Sequence, residues 1–106
     1  MRHAARRDAN DAPITEALRK AGFVVYDYAQ VGQVPDKLAT KALPDGTAWV
    51  CWVEIKTPKG KLTPSQEAFR KVFEPRGEFY VARDPEVTVR ELMDRYISAI
   101  KPEQLR

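Results

Sequence analysis

The sequence predicts a small α/β sandwich, a mixed sheet covered by helices in the order α-β-β-β-α-β-α. Three observations carry that prediction. Apolar residues recur at helical spacing near both ends and bracket segments rich in β-branched and aromatic residues. Turn residues at Pro44-Asp45-Gly46-Thr47 separate two of those segments. Thr63-Pro64-Ser65-Gln66 has the form of a helix start. At 106 residues the chain has room for one core and not for a second domain, with 1–10 as a basic lead-in and 102–106 as a tail.

Ile14, Ala17, Leu18 and Ala21 define the first helix, 11–21, with Gly22 as its C-terminal stop. Pro13 is tolerated only in a first turn, which makes Asp11 a candidate N-cap. Residues 23–29 read as a strand, Gly32 and Pro35 punctuate the loop after it, and 37–42 form a second strand. The turn at 44–47 leads into a third strand, 48–56, so three antiparallel strands follow one another. A basic loop, 57–61, precedes the capping box, in which Thr63 is the N-cap, Pro64 the first helical residue and Gln66 the reciprocal partner. That helix runs to about Phe73, with Phe69, Val72 and Phe73 inward. Gly77 leads into a short strand, 78–82. Asp84-Pro85 opens the last helix, 85–100, whose Val89, Leu92, Met93, Tyr96, Ile97 and Ile100 make a core stripe.

Hydrophobic residues at 43% and charged residues at 31% describe an ordinary globular domain and exclude a disordered or fibrous chain. The longest apolar run, 48–53, is far short of the roughly 20 residues that span a bilayer. Met1-Arg2-His3 leads into Arg6-Arg7-Asp8 and not into the apolar stretch of a secretory signal. Cys51, the single cysteine, is expected to be a buried reduced thiol in a cytoplasmic protein. The net charge of +3 and pI near 9.1 suit a polyanionic partner without specifying one. Position says more: Arg2, Arg6 and Arg7 precede every acid, and Lys56, Lys59 and Lys61 surround Gly60.

The chemistry concentrates at Pro35-Asp36 and at Glu54-Ile55-Lys56, which ends the apolar run 49–53. Side chains alternate along a strand, so Glu54 and Lys56 share a face. If the hairpin pairs as its turn dictates, Asp36 joins them at one edge of the sheet. Two carboxylates in a half-buried site repel one another unless a cation offsets them. A hard divalent ion such as Mg²⁺ is typically held by one or two carboxylates together with water and substrate phosphate. The expectation is a metal-dependent nuclease, with Lys56 positioning the nucleophile or stabilising developing charge. The simpler alternative is a strand end emerging into water, with Glu54 paired to Lys56 and a plain turn at Asp36.

Asp36, Glu54, Lys56 and Gln66 in this element order resemble the PD-(D/E)xK nuclease superfamily. The runs Gly32-Gln33-Val34-Pro35-Asp36, Val53-Glu54-Ile55-Lys56 and Leu62-Thr63-Pro64-Ser65-Gln66 are similar to the stand-alone VRR-NUC proteins of phages, over about residues 8–82. The resemblance implies a restriction-endonuclease-like fold related to archaeal Holliday junction resolvases. It also implies a Mg²⁺- or Mn²⁺-dependent endonuclease, often dimeric, acting on branched DNA. Carried over by position, Asp36, Glu54 and the Ile55 backbone carbonyl hold the metal, Lys56 is the catalytic lysine and Gln66 supports the site. Asp11 matches an acid on the family's first helix. Lys37 stands where an apolar residue is usual and is a candidate phosphate contact, beside Arg6, Arg7, Lys59, Lys61 and Arg70.

Two other functions stay open: a non-catalytic DNA-binding or assembly module using the same cations, and a small interaction protein presenting Tyr26, Tyr28 and Trp49. A junction substrate calls for a homodimer, and the last helix with Tyr96 is one candidate interface.

Overall fold

Alternation of apolar and polar residues builds a four-stranded sheet, described here by a computed structural model over residues 9–101. The strands are β1 (Val24–Asp27), β2 (Lys37–Ala42), β3 (Ala48–Ile55) and β4 (Phe79–Ala82), side by side in that order. β1, β2 and β3 are successively antiparallel, and β4 is parallel to β3. A parallel neighbour needs a crossover and not a hairpin. Here α2 (Pro64–Phe73) and a short 3₁₀ turn, Glu74–Arg76, provide it. With α1 (Asp11–Lys20) and α3 (Pro85–Ala99) the result is a small α/β sandwich.

The core lies on one face of the sheet. Val25, Ala39, Trp49, Cys51, Val53 and Ile55 point toward Ile14 and Leu18 of α1 and Leu92 of α3. Trp49, 8% exposed, packs between Phe23 and Tyr96 at ring separations of 5.7 and 6.2 Å, so it is core and not a docking aromatic. The Tyr96 hydroxyl donates to the Ala42 carbonyl at 2.6 Å, which ties this side chain into its own fold. Ile97 is exposed, because the contact with α1 and the sheet takes only one side of α3. Burial pushes the Cys51 thiol up to about 12, which keeps it protonated.

The opposite face is thinly covered. No residue of α2 is fully buried, and its contact is an aromatic seam: Phe69 stacks on Phe73 at 4.5 Å and meets Trp52 at 5.6 Å and Phe79 at 6.1 Å. Val72, expected inward, is 61% exposed, since that seam is one side chain wide. The β1 half of this face stays open, with Val24 and Tyr26 both more than half exposed.

Several ends differ from expectation for local reasons. β1 stops at Asp27 because the Asp27 carboxylate accepts the Ala29 N–H at 3.0 Å and turns the chain. The N-cap of α1 is Asn10 and not Asp11. The Asn10 side-chain amide makes no cap, and donates instead to the carbonyls of Lys56 at 2.8 Å and Arg83 at 3.1 Å. Gly22, at φ +100°, ends α1 in the left-handed region, where a β-carbon would also sit 2.9 Å from Lys41 Nζ. Among the described residues no helix is long and apolar enough to cross a membrane.

Candidate active site

The β2–β3 register brings the acids together. Lys37 pairs with Val53, so Asp36, one residue earlier, arrives opposite Glu54. Asp36 Oδ2 accepts the Ile55 N–H at 3.0 Å, which uses the last backbone donor of β3 to fix the carboxylate. Glu54 is 3% exposed on the α2 side of the sheet, and its Oε2 accepts from Gln66 Nε2 at 3.2 Å. Burial pushes the Glu54 carboxyl up to about 8. A hydrogen bond shared with Asp36 and the Asp36 charge add to the rise, and Lys56 opposes it.

Gln66 serves two structures with its two amide ends. Its Oε1 accepts the Thr63 N–H at 2.9 Å while its own N–H donates to Thr63 Oγ1 at 3.2 Å, completing the capping box. Its Nε2 remains for Glu54. The start of α2 is thereby bolted to the acid pair. A hollow of about 80 Å³ opens beside it, lined by Gln33, Val34, Pro35, Glu54, Ser65, Gln66 and Phe69.

Asp36 and Lys37 are neighbours in sequence and point to opposite faces. Lys37 is 2% exposed, with Nζ 3.1 Å from Asp11 Oδ1 and 3.3 Å from Asp27 Oδ1. It is an internal counter-ion and not a phosphate contact. Asp11 Oδ1 also accepts the Thr15 hydroxyl at 3.2 Å. Asp11 is thus engaged by Lys37 and Thr15. Among the described residues no set of three His, Cys, Asp or Glu side chains is arranged around one metal position. Among the described residues the pair Asp36 and Glu54 has no third such ligand arranged with it.

Compared with protein-family models, curated proteins and solved structures, the chain matches none.

The donor set suits a hard divalent cation. Asp36 and Glu54 share one side of the sheet, where the charge of Lys56 acts on Glu54, while Asp11 and Asp27 sit with Lys37 on the other. Oxygen ligands, two carboxylates and a partly open surround are what Mg²⁺ or Mn²⁺ takes, since Mg²⁺ keeps several of its waters. Burial first, and then Asp36, raise the Glu54 pKa, and a bound cation would offset that rise.

The candidate DNA contacts divide. Lys59 and Lys61 are exposed on the loop after β3. Arg70 is held by Glu67 at 2.7 Å and Glu74 at 2.8 Å, so two acids offset its charge. Arg6 and Arg7 lie outside the described residues. Arg83 and Asn10, which carry no motif in the sequence, also shape this end of the sheet. The Arg83 Nη1 donates to the carbonyls of Thr57 and Gly60, each at 2.7 Å. No local spacing signals this, because it follows from β4 lying parallel to β3, which sets Arg83 beside Lys56.

Proposed function

We propose that this chain is a Mg²⁺- or Mn²⁺-dependent endonuclease that hydrolyses DNA phosphodiester bonds. The observation that carries this reading is the buried Glu54 carboxyl sharing a hydrogen bond with the half-buried Asp36, with the charge of Lys56 acting on Glu54 and Gln66 bound to it. Two carboxyl groups side by side, one of them buried, are costly to ionise together, and a bound cation offsets that cost.

Asp36 and Glu54 are the residues that would hold the ion, with the Ile55 carbonyl beside them. When bound, a divalent ion supplies Lewis-acid polarisation of the phosphate and a nucleophile at neutral pH. Lys56 neutralises charge that develops on the phosphate oxygens as water attacks phosphorus and the ester P–O bond breaks. Gln66 keeps the Glu54 carboxylate oriented, and the capping box keeps Gln66 in place. Exposed Lys59 and Lys61 give the duplex backbone sequence-independent contacts. The resemblance carried by Pro35-Asp36, Glu54-Ile55-Lys56 and Leu62-Thr63-Pro64-Ser65-Gln66 supports branched or junction DNA as the substrate class. It also supports a homodimer as the acting unit.

A panel of linear, nicked, flap and four-way DNAs incubated with Mg²⁺ or Mn²⁺ tests this. Asp36→Ala, Glu54→Ala and Lys56→Ala are each expected to lower cleavage by at least about a hundredfold with the fold retained. Equal cleavage by wild type and the three variants would reject the site. DNA binding by wild type with no cleavage in either metal would leave a non-catalytic binding module.

A further inference from the structure

Arg83 spends its guanidinium on the chain's own backbone. Nη1 donates to Thr57 O and Gly60 O at 2.7 Å each, and to Pro58 O at 3.4 Å. The loop it grips is the basic one after the site lysine. Gly60 N–H closes a turn onto Thr57 O at 3.1 Å, so the loop is folded tightly as well as clamped. A β-carbon on Gly60 would press on Thr57 Oγ1 at 3.2 Å and on the Lys56 stem at 3.4 Å, so the loop packs directly against Lys56. Asn10 seals the other side by donating to both the Lys56 and Arg83 carbonyls. The outcome is a short rigid arm that carries Lys59 and Lys61 into solvent at a fixed position relative to Glu54.

We infer that residues 57–61 form a preformed phosphate-binding arm and that Arg83 is its positioning residue. The inference deepens the nuclease reading and rests on it for the identity of the polyanion, a DNA backbone flanking the scissile bond. Most free loops pay an ordering cost when they bind, and a clamped loop has met that cost on folding. Lysine is a poor replacement here, because its side chain differs in length and shape from the one that sets Nη1 among these carbonyls.

The test is binding of the full chain to a fluorescent duplex of about 20 base pairs in EDTA, across a salt series, so that no cleavage intervenes. Each phosphate contact contributes about 0.9 to the slope of log K against log salt. Lys59→Ala with Lys61→Ala is expected to lower that slope by about two. Arg83→Met is expected to weaken binding about fivefold to tenfold while keeping the slope within about half a unit of wild type. Amide exchange in 57–61 should rise with it. Should Arg83→Met lose its cooperative melt, Arg83→Lys gives the same measurement with the charge retained.

Wild-type affinity in the Arg83 variants overturns the positioning role. A slope reduced by about one in Arg83→Met instead makes Arg83 a direct phosphate contact and also overturns it. An unchanged slope in the double lysine variant, or no duplex binding by wild type, overturns the arm. Loss of the nuclease reading appears separately, as absent cleavage when Mg²⁺ or Mn²⁺ is added to a chain that still binds.

Discussion

Glu54 holds a proton that a solvated glutamate would have released. Its carboxyl sits at about 8 in the fold against an ordinary 4.5, first because of burial and then because of Asp36. The folded state therefore binds more protons than the unfolded state between those two values. Stability of the metal-free protein is expected to fall as pH rises from about 4.5 through about 8, with the full penalty present above that range. Thermal melts across that window check it, and Glu54→Gln should flatten the dependence. The same sign makes metal uptake proton-linked, with Mn²⁺ affinity increasing toward pH 8 and protons released on binding. Lys37 poses the converse problem, a buried cation with two acids. Lys37→Met removes the buried cation beside Asp11 and is expected to cost about 3 kcal/mol in chemical denaturation. Adding Asp11→Asn should recover part of that loss, because the carboxylate that faced the missing ammonium goes with it.

Among the elements, α2 is the least anchored and the closest to the chemistry. It buries no residue fully and depends on the Phe69 seam and its capped start. Thr63→Ala removes the side-chain acceptor of the cap and is expected to cost about 1 kcal/mol. Because Gln66 is half of that cap, cleavage should drop as well, which a melt and a single-turnover rate measured together would register. This helix also separates what sequence discloses from what it does not. Thr63-Pro64-Ser65-Gln66 announces its own start because a capping box is local, and Pro44-Asp45-Gly46-Thr47 announces the hairpin for the same reason. Val72 misleads, since an apolar residue on a helix declares a side chain and not whether a sheet lies beneath it. Asn10 carries no local signal of its role, because its partners Lys56 and Arg83 lie 46 and 73 residues away.

Across the molecule, the two faces of the sheet have separate duties. One is filled by α1 and α3 and holds the core, while the other carries the acid pair and, among the described residues, is roofed by α2 over β3 and β4. The meeting of Asp36 with Glu54 was legible because hairpin register and strand alternation follow from short-range chemistry. Which cations face outward was not. Lys37 and Lys59 are both a lysine near an acid in sequence, yet one is enclosed by Asp11 and Asp27 and the other is in solvent. The dipeptide Asp36-Lys37 sends one charge through each side of the sheet, and that division depends on parity. Dropping a single amino acid from β2 would swing the Lys37 ammonium to the Glu54 side and drive the Asp36 carboxylate to the side of α1. Evolution can lengthen the exposed tip at 44–47 freely, but between Lys37 and Ala42 it is confined to exchanges that keep the count.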